Sequence, residues 1–162
     1  MLRIILVLLL AAFIIIQFFR PAKNISTEAS VASADISAKY NVSEEVNSIL
    51  KIACNDCHSN NTIYPWYNNI QPVAWWLDSH VREGKRALNF NEFLTYRPRK
   101  QFHKMEELEK EVKENGMPLG SYTIIHRNAK LSPRQKQILI GWSKEIREKM
   151  RASYPADSLL KK

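Results

Sequence analysis

A chain of 162 residues with 45% hydrophobic side chains carries enough apolar mass for one compact domain and a short appendage, which excludes an intrinsically disordered protein. Its formal charge of +8 is spread through mixed-sign clusters, with Lys and Arg alternating with Glu as they do on solvated helix faces. Nothing in the chain resembles a nucleic-acid-binding module, and no nucleic-acid partner is expected.

The N-terminal stretch opens with Arg3, runs apolar from Ile4 to Ile16, continues as Gln17-Phe18-Phe19 and stops at Arg20. Residues 1–20 therefore read as a membrane anchor or signal segment. Helical rise gives Ile4 to Phe19 roughly 24 Å against a hydrocarbon core of ~30 Å, a shortfall that Arg3 and Arg20 could offset by snorkelling. The small-x-small sequence Ala32-Ser33-Ala34 lies too far beyond the apolar run for a usual signal cleavage, so retention as a transmembrane helix is expected. Residues 21–41, rich in Ser, Ala, Thr and Lys, read as a flexible linker to a domain spanning 42–155, with 156–162 as a tail.

Ser43 is a good N-cap, and Glu44 and Glu45 follow in the first turn, where the helix dipole favours negative charge. Val46, Ile49, Leu50 and Ala53 then recur at helical spacing, and this stripe leads directly into Cys54-Asn55-Asp56-Cys57-His58. Both cysteines of the chain fall in that pentapeptide. C-x-x-C-H is the attachment spacing of a c-type haem: two thiols on one turn can each bond to a vinyl group of the same porphyrin, and the adjoining imidazole can bind its iron. Two rival readings are a dithiol or disulfide redox centre, which expects a βαβ context, and half of a zinc site, which lacks a second cysteine pair.

Beyond it, Ser59 to Gln71 has loop composition with an aromatic load in Tyr64-Pro65-Trp66-Tyr67, rings that either wall a cofactor from water or pack as ordinary core. Pro72 suits the first position of a second helix, with Val73, Trp76, Leu77, His80, Val81 and Gly84 on one face. Asn89 or Asn91 could cap a short turn holding Phe90, Phe93 and Leu94. Pro98 begins a third helix with Phe102, Met105 and Val112 inward, closed by Asn115-Gly116. Next, Met117 stands in a loop between Gly116 and Pro118, a place from which a thioether can reach an iron's sixth position. His80 and His126 are rivals for that role, as is water, whereas Met105 and Met150 fall on helix stripes and read as core. Ser132-Pro133 starts a last helix with Ile138, Leu139, Trp142, Ile146 and Met150 along its apolar stripe.

Taken in order, Cys54-Asn-Asp-Cys57-His58, Tyr64-Pro-Trp66-Tyr67, Pro72 through Trp76, Leu88-Asn89-Phe90, Met117-Pro118-Leu119 with Tyr122 and His126, and Leu131-Ser132 through Trp142 resemble the small membrane-anchored haem-binding domain proteins of the cytochrome c type. The resemblance implies an all-α, cytochrome c-like domain around one covalent haem c, with an N-terminal transmembrane helix before it. It also implies a place on the cytoplasmic membrane, with the domain facing the periplasm or cell exterior. Cys54, Cys57, His58 and Met117 are its expected cofactor contacts, with His58 and Met117 on the iron. The expected function is electron transfer with a redox partner protein rather than catalysis. The alternatives are small-ligand binding or sensing at a labile sixth position and, further off, peroxidase chemistry.

Overall fold

A computed structural model describes residues 1–26 and 33–160. Ala32 of the small-x-small sequence and the last two residues of the tail lie outside the described residues. The elements are α1 (Leu2–Ile16), α2 (Glu44–Ala53), α3 (Asn55–His58), α4 (Val73–Ala87), α5 (Pro98–Glu114), α6 (Gly120–Ile125), α7 (Pro133–Ser153) and α8 (Ala156–Leu159), with short 3-10 turns between them. No strand occurs among the described residues beyond one isolated bridge, Ile25 to Asn61.

The two long helices α5 and α7 make the central pairing. The Ser132 side chain accepts from the Gln135 N–H while the Gln135 side chain accepts from the Ser132 N–H, a reciprocal cap that starts α7 with Pro133 in its first turn. From there Leu139, Trp142, Ile146 and Met150 are buried, as the stripe predicts. Ser143 is fully buried and donates to the Met105 carbonyl, so a small side chain marks the close approach of the two helices. Arg147 pairs with Glu109 and Glu106 along the same seam. Phe93, Met105, Leu139, Ile146 and Met150 are among the most deeply buried side chains. Ile146→Ala removes three carbons from this seam, and we expect it to destabilise the fold by about 2–5 kcal/mol, read as a lower urea midpoint at unchanged slope.

Part of the stretch read as linker is built into the domain. Ile36 and Tyr40 are buried in the core; the Tyr40 hydroxyl donates to Gln101 Oε1 at 3.2 Å, and its ring meets Phe93 edge-on at 6.1 Å. Asp35 caps the turn Ile36–Ala38 and accepts from Asn91 Nδ2 at 2.7 Å. Of the tail, Leu159 at the end of α8 is buried.

The N-terminal expectation is corrected. No helix among the described residues is long and apolar enough to cross a membrane. The apolar run reaches Phe19, but α1 ends at Ile16, and the residues after it are fastened to the domain by polar contacts. Gln17 Oε1 accepts from the Gln71 N–H at 2.9 Å, and the Phe19 carbonyl accepts from Trp75 Nε1 at 2.8 Å and Gln71 Nε2 at 2.9 Å. Fifteen helical residues rise only about 22 Å. The expected transmembrane helix, and the single-pass placement in the cytoplasmic membrane that depended on it, are therefore overturned.

α5 also ends differently from its expected glycine stop. The left-handed residue is Asn115 (φ 62°, ψ 24°), a conformation Asn tolerates better than most side chains, and Gly116 has no positive φ. The N–H groups of Gly116 and Met117 both donate to the Glu111 carbonyl, at 2.9 and 3.2 Å. That arrangement fixes where the Met117 loop leaves the helix.

Candidate functional site

The Ser43 hydroxyl accepts from the Val46 N–H, α2 buries the predicted stripe, and its last turn delivers Cys54. At Cys54 the backbone leaves helical geometry (φ −129°), and its carbonyl accepts from the N–H groups of Cys57 at 3.1 Å and His58 at 2.9 Å. This one-turn wind is α3. It brings both thiols and the imidazole to a single cavity of about 480 Å³, a size typical of cofactor sites. Ala53, Leu88, Phe90, Leu108, Val112 and Leu139 supply apolar lining, and Lys104 with Glu83, Glu107 and Glu111 supplies charge. Lys104 Nζ lies 2.5 Å from Glu107 Oε2.

The His58 ring is oriented by the main chain. Its Nδ1 lies 2.9 Å from the Leu88 carbonyl, which can only accept, so Nδ1 carries the hydrogen and Nε2 keeps its lone pair. This is how metal-binding imidazoles are usually held. Phe90 meets the ring edge-on at 6.3 Å and contacts Trp142 behind it at 6.2 Å. Burial lowers the His58 pKa, favouring the neutral, electron-donating form.

A set of asparagines fixes the Leu88 carbonyl. Buried Asn89 donates from Nδ2 to Asn60 Oδ1 at 2.7 Å, the Asn60 N–H donates to Asn91 Oδ1 at 2.8 Å, and the Asn89 N–H donates to the Tyr96 hydroxyl at 3.0 Å. The exit of α3 is thereby locked to the exit of α4. Gly84 on α4 presses on the attachment turn: a Cβ there would lie 2.6 Å from the Cys57 carbonyl oxygen and 2.8 Å from the Cys57 Cβ. Only glycine fits that crossing.

Burial pushes both thiols up, Cys54 to about 12 and Cys57 to about 11; the neighbouring Cys57 adds to the rise at Cys54, and the Asp56 carboxylate adds to the rise at Cys57. Both therefore stay protonated at neutral pH. A dithiol redox centre needs the opposite shift, toward a reactive thiolate. Nor does any group of three or more His, Cys, Asp or Glu side chains among the described residues form a metal cluster, which weighs against zinc.

Of the sixth-position candidates, Met117 and His80 line the same cavity as Cys54, Cys57 and His58. The His80 Nδ1 lies 2.8 Å from the Trp76 carbonyl, leaving its Nε2 without that bond, and its ring packs at 4.3 Å on the Trp76 indole. His126 does not line this cavity; its Nε2 lies 3.0 Å from the Tyr67 hydroxyl. Met105 and Met150 are buried core residues.

Sequence reasoning placed Gly84 on the shared face of α4 and offered Asn89 as a cap, which it is, but it missed the contact of Gly84 with Cys57, the Leu88 carbonyl, the bonds among the asparagines and the bond between Tyr122 and Asp56, whose hydroxyl-to-carboxylate distance is 2.7 Å. Asn60-Asn61 and Asn89-Phe90-Asn91 were visible as loop composition, but nothing in a linear pattern pairs residues some thirty positions apart.

The donor set fits a haem: a half-buried imidazole with a free lone pair, two thiols beside it and a thioether on the same largely apolar cavity. No curated protein and no solved structure matches the chain. The model of the haem-binding domain family matches residues 11–145, which take in every residue of this site, and the chain belongs to that family.

Proposed function

We propose that this haem-binding protein is a c-type cytochrome that carries electrons. Cys54 and Cys57 would hold the cofactor as thioethers, each sulfur bonding to a vinyl carbon while its hydrogen goes to the neighbouring carbon. His58 would bind the iron through Nε2 and Met117 would fill the sixth position. When bound, the iron supplies one-electron exchange between its ferric and ferrous forms.

The observation that carries this reading is the His58 imidazole, fixed by the Leu88 carbonyl at 2.9 Å within a cavity that both thiols and Met117 also line. Each side chain then has one task. The Leu88 carbonyl sets the tautomer and strengthens the donor; the protonated thiols resist oxidation to a disulfide before attachment. Leu108, Val112 and Leu139 present apolar surface to the cavity, and the Met117 thioether would favour reduced iron. A redox partner protein follows from the electron-carrier reading.

The test is CO uptake by the dithionite-reduced full chain. Slow or absent uptake in the parent protein and rapid uptake in Met117→Ala is the expected result. Rapid uptake by the parent would mean an open iron and favour small-ligand binding instead. Because His80 lines the same cavity, His80→Ala is the paired control: opening of the iron by that substitution rather than by Met117→Ala would reassign the sixth ligand.

A further inference from the structure

We propose that Tyr122 is a positioning residue: its hydroxyl, bonded to Asp56 of the attachment turn, holds the Met117 loop against the cavity and so keeps the sixth iron position closed. The proposal rests on the reading of Met117 as that ligand.

At its upstream end the loop is secured by the two N–H bonds to the Glu111 carbonyl. Downstream it passes through Pro118 and Leu119 into α6, and α6 has no buried residue. Ile124 and Ile125 are 75% and 56% exposed, and no side chain caps the helix start. Apolar packing of this segment against the core rests on the partly buried Tyr122 ring, so little besides that one side chain supplies the burial from which most helical stability comes.

Polar contacts at the same residue add to that packing. Tyr122 Oη donates to Asp56 Oδ2 at 2.7 Å, a charge-assisted bond of the stronger kind. Asp56 is itself held, with Oδ1 accepting from the Ile63 N–H at 3.0 Å and its carbonyl accepting from the Thr62 hydroxyl at 2.6 Å. The Tyr122 ring stacks on His126 at 4.3 Å with planes 15° apart, and His126 is bonded in turn to Tyr67. Asp56 lies between the two cysteines, so Tyr122 ties the loop carrying the sixth ligand to the turn carrying the fifth. Asp56, Cys57, Leu119 and Tyr122 also line a smaller apolar cleft beside the cavity, so releasing Tyr122 would open the wall between the two spaces.

Tyr122→Phe deletes the hydroxyl and keeps the ring that stacks on His126. In the full chain matured with haem, we expect unchanged far-ultraviolet circular dichroism, haem retained through denaturation, and CO uptake by the reduced protein faster by roughly tenfold, as for loss of one strong hydrogen bond. Asp56→Ala, which removes the acceptor instead, should do the same, and the double variant should be no faster than the faster single one. Unchanged CO uptake in Tyr122→Phe while Met117→Ala opens the iron would overturn this proposal alone, as would rate effects that multiply in the double variant. If Met117→Ala also leaves CO uptake unchanged, the ligand assignment fails and the proposal falls with it.

Discussion

Replacing both cysteines, Cys54→Ser and Cys57→Ser together, is expected to abolish haem staining after denaturing electrophoresis, where the parent chain from a host with haem-attachment machinery is expected to stain. The expected effect is all or none because serine hydroxyls do not add to vinyl groups under conditions where thiols do. Intact mass is the independent check: the parent should carry the added mass of one haem and the double variant should not. With either single substitution one thioether remains, and the vinyl left unreacted stays conjugated to the ring. The pyridine haemochrome band of each single variant should then lie to the red of the parent's. Retention of haem through denaturation by the double variant would show that the cysteines are not the attachment points. His58 and its Leu88 partner are untouched by these substitutions, so reversible haem uptake can persist while the covalent bond is lost.

Gly84→Ala is expected to damage both the fold and the yield of haem-loaded protein. An added methyl meets the Cys57 carbonyl oxygen at 2.6 Å, its Cβ at 2.8 Å and its carbonyl carbon at 3.1 Å, and none of these atoms belongs to a flexible side-chain end. Overpacking of this kind costs roughly 1–3 kcal/mol, offset in part by the ~1 kcal/mol that alanine gains over glycine inside a helix. Displacement of Cys57 is the larger consequence, because it moves one thiol relative to the imidazole beside it. Gly141→Ala is the matched control. It lies inside α7 with nothing within 4 Å of the added Cβ, so the propensity gain is unopposed and stability rises by up to about 1 kcal/mol. Urea unfolding of the two variants should move in opposite directions. A Gly84→Ala protein as stable and as fully haem-loaded as the parent would show that α4 can shift freely over the attachment turn.

The helices of the domain were legible because their signals are local. Ser43 and Ser132 mark starts, and the stripes Val46-Ile49-Leu50-Ala53 and Leu139-Trp142-Ile146-Met150 are buried in the structure. The pentapeptide Cys54–His58 was legible for the same reason, since its spacing is its chemistry. What the linear pattern hid was long-range. Ile36 and Tyr40 are isolated apolar residues in a polar stretch, and only the fold shows them closing on Phe93 and Gln101. The apolar N-terminal run, already short for a membrane, passed as a span only when counted to Phe19, because hydropathy does not register where a helix stops. The bonds from Gln71 and Trp75 to Gln17 and Phe19 join residues more than fifty positions apart. Asp56 fills one of the two positions that the C-x-x-C spacing leaves open, and its partner Tyr122 is 66 positions away.

The hydrogen-bond acceptor behind His58 is a peptide oxygen, and every residue type provides one. Substituting Leu88 by any other amino acid would alter packing yet leave that acceptor in position, unlike a carboxylate acceptor, which one codon change removes. Imidazole alignment is thereby insulated from point mutation and exposed instead to insertion or deletion between Ala87 and Phe90, where a change of a single residue would turn the oxygen away.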